Sequence, residues 1–277
     1  MAIKLIAFDL DGTLLDDDKK LPAENLAALE LAASRGIHIV ASTGRILSGV
    51  PEVISSLPFT RYVITCNGAG VYDTVEHKAI YRSEIPAELA VRVCEYMDTL
   101  PVIYDCYQDD HGWVSRRFYP LAADYIPNRG IYELFLRSRI PVDELKDTIR
   151  ERGRGVQKLQ MHFRDPQARL RELEKLPGLF PKLLFTSSIP TNIEINSLKA
   201  HKGSALLGLC AYLGIDRSEC LAFGDGSNDL TMLREAGIGV AMANAEPSVR
   251  AAADIVTSSN NDCGVARVIR ELLVKSE

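Results

Sequence analysis

A chain of 277 residues is long enough for one large domain or two ordinary ones, each with a buried core. Apolar residues at 47% and charged residues at 25% give the balance of a globular protein, and no run approaches the roughly 20 apolar residues of a membrane span. The formal net charge of -5 leaves no electrostatic basis for nucleic acid or an anionic membrane as the main partner, and no obligate protein partner is implied.

The N-terminal MAIKLIAFDLDG is apolar but soon acidic and has no small-residue cleavage site, which predicts a cytoplasmic protein. Residues 3–8 read as a fully buried strand. Residues 22–35 (PAENLAALELAASR) read as a helix, with Pro22 at its start and Gly36 just past its end. A second strand follows at 37–43 (IHIVAST), a shorter helix at about 46–57, and a third strand at 62–67 (YVITCN). The middle changes character. A hairpin at 71–82 and a helix at 86–99 lead to strands at 102–107, 112–117, 156–164 and 183–187, with helices near 141–152 and 167–176. Alternation along VQKLQMHFR predicts an antiparallel sheet with one wet face. The last third resumes the first pattern. Helices at 202–213, 228–236, 247–253 and 263–275 alternate with strands at 220–225, 238–243 and 254–258. Strands alternating with helices imply right-handed crossovers and a parallel sheet. The predicted architecture is a discontinuous α/β core, residues 1–82 and 188–277, interrupted by an α+β domain at 83–187. The six cysteines contain no C-x-x-C pair, fit neither a zinc site nor a disulfide framework, and mostly sit in apolar runs as small hydrophobes.

Ligands of open parallel sheets bind outside the carboxyl ends of the strands, and the polar residues of this chain fall there. The first strand ends in Asp9-x-Asp11-Gly12-Thr13, the second in Ser42-Thr43-Gly44-Arg45, and the strand at 220–225 runs into GDGSND, residues 224–229. Asp9, Asp11, Asp225 and Asp229 converge if the first and fourth parallel strands are neighbours. Four acids cannot stay ionised together without a cation or a shifted pKa. Mg²⁺ suits such oxygen donors; single aspartates at strand ends are otherwise commonly helix caps. Thr43 offers a hydroxyl and Gly44 an accessible N–H at an expected helix N-terminus, where anions are favoured, and Lys202 is a compact cation for phosphate oxygens. Of two acids at i and i+2, one can attack phosphorus to form an aspartyl-phosphate. The other can protonate the leaving alcohol and then activate water.

These residues carry a family resemblance. DLDGT, STGR, the lysine of HKGSAL and GDGSND resemble the four motifs of the haloacid-dehalogenase superfamily, and their spacing resembles its Cof-type, subclass IIB sugar-phosphate phosphatases. TCNGAGVYD (65–73) and VAMANA (240–245) resemble that subfamily too. The resemblance implies a Rossmann-like sheet of order 3-2-1-4-5 with a mobile α+β cap. It makes Asp9 the nucleophile and a Mg²⁺ ligand, and Asp11 the general acid/base that lends its backbone carbonyl to the metal. Thr43, Gly44 and Lys202 bind phosphate, Asp225 ligates Mg²⁺, and Asp229 and Asn228 stand in its near shell, Asn228 on the substrate side. The activity implied is hydrolysis of a small phosphorylated metabolite. A phosphosugar mutase or phosphotransferase using the same phosphoenzyme, and a non-catalytic sensor of phospho-ligands, are the alternatives.

Other residues admit two readings. Arg45 reaches the substrate or pairs with a nearby acid. Asn67 touches substrate or metal water, or forms an Asn-Gly turn. Asn244 reads as a loop brace and Asp16 to Asp18 as a solvated turn. In the inserted domain Trp113, Arg116, Arg117, Tyr119, His162 and Arg164 either read the substrate or pack the sheet.

Overall fold

The first apolar run forms β1 (Leu5–Phe8), with all four residues buried, and its alternation explains why no position is polar. Ile6 and Phe8 face one apolar layer with helices Ala23–Ser34 and Gly264–Val274. Leu5 and Ala7 face the other, with helices Lys202–Leu213 and Leu230–Glu235. A strand covered on both faces must be apolar throughout. The computed structural model describes residues 2–187 and 189–274; Ser188 and residues 275–277, which the predicted core includes, lie outside the described residues.

In chain order the next strands are β2 (His38–Ser42), β3 (Tyr62–Thr65), β4 (Gly70–Asp73), β5 (Lys78–Arg82), β6 (Val102–Gln108) and β7 (His111–Ser115). They are followed by β8 (Arg139–Val142), β9 (Lys158–Phe163), β10 (Leu183–Thr186), β11 (Asn192–Ser197), β12 (Cys220–Gly224), β13 (Ile238–Ala241) and β14 (Ile255–Val256). They build an eight-stranded sheet, β14-β13-β12-β1-β2-β3-β4-β5, and a six-stranded sheet, β10-β11-β9-β6-β7-β8. In the first, β1 pairs in parallel with both β2 and β12. The expected order 3-2-1-4-5 is therefore present, extended by β14 and by the antiparallel hairpin β4–β5. The chain winds outward from β1 to β3 on one side and resumes at β12 on the other. The switch point thus lies between β1 and β12.

The chain divides into two compact units, one formed by the residues up to Arg82 with those from His201 onward, the other by Ser83–Ala200. The second boundary differs from the predicted 187/188. Strand β11 pairs antiparallel with β9 and β10, so the segment to Ala200 belongs to the inserted sheet. One face of that sheet packs Tyr104, Cys106, Leu159, Met161 and Ile195 against helices Ala87–Met97, Leu145–Arg152 and Pro166–Leu179. The other face is polar as predicted but buried rather than wet. Asp105 is 0% exposed and His162 3%, and pairing compensates the burial. Arg139 approaches Asp105 to 3.0 Å and Lys158 approaches Glu194 to 3.3 Å. Phe135 of the helix Arg129–Ser138 packs edge-on against His162.

The predicted helix at 46–57 is absent. Pro51 has no N–H to give and biases Val50 to an extended conformation (φ -68°, ψ 129°). A 3₁₀ turn, Leu47–Gly49, and a single turn, Glu52–Ser55, stand in its place. Among the described residues no helix is long and apolar enough to cross a membrane.

Candidate active site

Because β1, β2, β3, β12 and β13 are parallel neighbours, their carboxyl ends share one edge. Asp9 leaves β1 with its N–H on the Phe223 carbonyl, 3.1 Å away. Asp225 follows β12, and Asp229 closes the 3₁₀ turn Ser227–Asp229. Asp229 is buried and uses both its oxygens. Oδ2 accepts the N–H groups of Asp225 and Gly226, each at 3.0 Å, while Oδ1 accepts from Lys202 Nζ at 2.6 Å. Lys202 also donates to Asp9 Oδ1 at 2.6 Å. Its side chain is 0% exposed, so one buried ammonium faces two carboxylates. Asp9, Asp225 and Asp229 offer carboxylate oxygens that lie within 4.8 Å of one another.

The electrostatics follow from that crowding. Burial, with Asp229 and Asp225 nearby, raises Asp9 to about 7 even against the pull of Lys202. Burial also raises Asp225, although Thr13 Oγ1 donates to its Oδ1 at 2.6 Å. Lys202 goes upward too: burial disfavours its charge, but Asp229 and Asp9 outweigh that cost. Asp11 behaves differently. Burial pushes its pKa up, yet Arg45 and Lys19 overcome this and hold it below the ordinary value. Arg45 grips both oxygens of Asp11 (2.9 and 3.0 Å from Nη2), and Lys19 Nζ lies 3.0 Å from Oδ1. Arg45 thus pairs with an acid, the second of its two readings.

Close approaches fix the backbone around the acids. A Cβ on Gly12 (φ +87°) would lie 2.4 Å from Asp225 Oδ2, and one on Gly224 2.4 Å from the Asp229 Cβ. Thr43 is buried, and its hydroxyl accepts the Arg45 N–H at 3.2 Å. With the predicted helix missing, Thr43 and Gly44 sit on an irregular loop rather than at a helix N-terminus. That loop lies against the β3 turn, where Cys66, Asn67 and Gly68 all have positive φ. Asn67 Oδ1 accepts from Asn228 Nδ2 at 3.2 Å and would lie 2.9 Å from a Cβ on Gly44. Gly44, Asn67 and Asn228 are therefore neighbours.

Asn244 donates to the Gly12 carbonyl at 2.8 Å, a loop brace as expected. Asp17, predicted to be merely solvated, is exposed but held. Its carboxylate accepts from Asn260 and Asn261 at 3.1 and 2.9 Å. Thr13 and Lys19 are contacts that the sequence motifs did not single out. Thr13 lay in plain view inside DLDGT, whereas Lys19, in a left-handed conformation (φ 63°), reaches Asp11 across a turn that the motif does not reveal. The candidate substrate readers of the inserted unit are engaged within it. Arg117 pairs with Asp98, Arg164 with Asp124, Arg116 with Asp143 and His162 with Asp105, while Trp113 donates to the Gln108 carbonyl and Tyr119 to that of Leu136.

A doubly wound sheet with acids, a buried lysine and left-handed turns on one carboxyl edge has the make-up of an α/β enzyme core. A family model for haloacid dehalogenase-like hydrolases matches residues 6–269, and the chain belongs to that family. The 5-amino-6-(5-phospho-D-ribitylamino)uracil phosphatase YcsE of Bacillus subtilis (strain 168) is 31% identical over 272 residues, 97% of this chain and 95% of that protein. Among solved structures, TM0651 from Thermotoga maritima is similar with a TM-score of 0.81 at 31% identity, covering 97% of each chain. The HAD subclass IIB sugar phosphatase BT4131 is similar at 0.78 and 25% identity, covering 97% of this chain and 98% of that one.

Proposed function

We propose that the chain is a Mg²⁺-dependent phosphatase that hydrolyses a small phosphorylated metabolite, a sugar phosphate or related phosphomonoester, through an aspartyl-phosphate on Asp9. The observation that carries this reading is the convergence of Asp9, Asp225 and Asp229 around the buried Lys202. Three carboxylates within 4.8 Å are a hard-oxygen donor set, and Mg²⁺ accepts a few carboxylates while keeping water and substrate oxygens. When bound, the ion supplies positive charge that offsets the charge on the transferring phosphoryl group.

The chain's own residues carry the rest. Asp9 attacks phosphorus and the ester oxygen departs as an alcohol, taking its proton from Asp11. Asp11 then removes a proton from water, which attacks the same phosphorus, releases phosphate and restores Asp9. Lys202 with Thr43, Gly44 and Asn228 receives the phosphate oxygens. Arg45 and Lys19 hold Asp11 below the ordinary carboxylate range, which favours the ionised form that takes the proton of water. Similarity to a 5-amino-6-(5-phospho-D-ribitylamino)uracil phosphatase and to the sugar phosphatase BT4131 supports the substrate class. Buried free thiols such as Cys66, Cys94 and Cys106 suit a reducing cytoplasm.

The test is hydrolysis of p-nitrophenyl phosphate followed by a panel of phosphorylated metabolites ranked by kcat/KM. Expected are activity that chelation removes and Mg²⁺ restores, and loss of activity in Asp9→Asn. Turnover that persists in either condition contradicts the proposal.

A further inference from the structure

The loop after β1 bears both proposed catalytic acids, yet it leaves several backbone carbonyls pointing away from itself. Its internal backbone bonds run from the Leu14 N–H to Asp9 (3.3 Å) and from the Leu15 N–H to Leu10 (2.9 Å). Three of its carbonyls are met by asparagine amides from three distant segments. Asn244, beyond β13, donates to Gly12 at 2.8 Å; Asn25, in the helix Ala23–Ser34, donates to Leu14 at 2.9 Å; and Asn260, beyond β14, donates to Leu15 at 3.1 Å.

The asparagines are themselves held. Asn25 Oδ1 accepts the Ala266 N–H at 3.1 Å, and Asn244 Oδ1 accepts the Asn260 N–H at 3.1 Å. Asn260 also donates to Asp17, whose N–H donates to Asn261 Oδ1 at 3.1 Å. Asn25 is 0% exposed and Asn260 2%. A carboxamide can donate to a carbonyl through its NH₂ while its oxygen accepts an N–H, as Asn25 and Asn244 do here. Leucine would leave both partners unpaired, and aspartate would set an acceptor against an acceptor. Each of the three positions needs both properties or the donor.

We infer that Asn25, Asn244 and Asn260 are positioning residues. They clamp the peptides from Gly12 to Leu15 to the sheet edge and so fix Asp9 and Asp11 relative to one another. The kinetic consequence rests on the phosphatase reading; the structural one does not. Asn244 is exposed, so Asn244→Asp tests the clamp even where a change at a buried site prevents folding.

The experiment compares wild type, Asn244→Asp and Asn260→Asp in two arms. In amide hydrogen exchange, the amides of residues 13–15 should exchange about tenfold faster or more in the variants, while those of β2 and β12 keep their rates. In p-nitrophenyl phosphate hydrolysis at saturating Mg²⁺, kcat should fall about 10–100-fold, as for other residues that orient catalytic ligands. KM should stay within about twofold, because the loss is in orientation rather than in ground-state binding. Unchanged exchange at 13–15 overturns the inference, as does a kcat loss no larger than the loss of folded protein measured by urea unfolding. If the wild-type chain hydrolyses no phosphate ester, the phosphatase reading falls, and the exchange arm decides the clamp alone.

Discussion

Lys202 is the most unusual single residue of the site. It is the first residue of its helix, where a positive charge opposes the helix dipole, and it is wholly buried. Only the carboxylates of Asp9 and Asp229 make that placement tolerable, so removing the ammonium leaves two buried acids facing each other. Lys202→Met should lower the unfolding free energy by about 3–5 kcal/mol, measured by urea denaturation at neutral pH. Asp9 gives the matching pH dependence. Its folded value of about 7 lies above the ordinary 3.8, so the folded protein holds an extra proton between these limits. Its contribution to stability therefore falls as pH rises from about 4 to 7. In chelator, the stability of Asp9→Asn relative to wild type should climb across that window, and Mg²⁺ should shrink the difference; a flat difference contradicts the assignment. Asp11 is the opposite case, kept ionised by Arg45 and Lys19. Asp11→Asn should still transfer phosphate from p-nitrophenyl phosphate, whose leaving group departs as an anion. It should then stall, seen as a burst of p-nitrophenol of about one equivalent followed by slow turnover.

At the scale of elements, the parallel strands were legible because each is a short apolar run with a polar end. The acids were legible because each of two short motifs carries two of them, one directly beside a glycine. The helix predicted at 46–57 failed because Pro51 and Gly49 punctuate a run that otherwise looks periodic. The helix Arg129–Ser138 and strand β11 went unread. In NIEINS the alternating signal is short, and its polar positions are buried beside partners on β9 that adjacency in sequence does not reveal. The asparagine clamp was hidden for the same reason, since its members lie up to 245 positions from the carbonyls they meet. Gly68 shows how tightly two elements can constrain one residue. Its φ is +98°, and a Cβ there would lie 2.3 Å from the His201 carbonyl at the head of the Lys202 helix. Gly68→Ala should cost about 1–3 kcal/mol in thermal or urea unfolding by overpacking and backbone strain, and should lower kcat by displacing Lys202. A variant as stable and active as wild type contradicts this account of the turn.

Across the whole molecule, the two units have separate cores. The apolar cluster of the inserted unit runs from Ile85 to Ile195 and lies within Ser83–Ala200, a continuous stretch of chain. That segment expressed alone should unfold cooperatively in urea, and a gradual, non-cooperative loss of structure would contradict its independence. The other unit is assembled from both ends of the chain, and its β1–β12 pairing puts Asp9 beside Asp225 across more than two hundred residues. The site therefore depends on that closure, with the inserted stretch spliced between its halves. Chemical trapping of the phosphoenzyme tests nucleophilic attack by Asp9 most directly. Protein turning over a phosphate ester with Mg²⁺ is quenched in acid and reduced with borohydride, which converts an aspartyl-phosphate to homoserine, and the peptides are read by mass spectrometry. Homoserine is expected at position 9, absent without Mg²⁺ and increased in Asp11→Asn. Hydrolysis proceeding with an unmodified Asp9, or with the label on another residue, would contradict it.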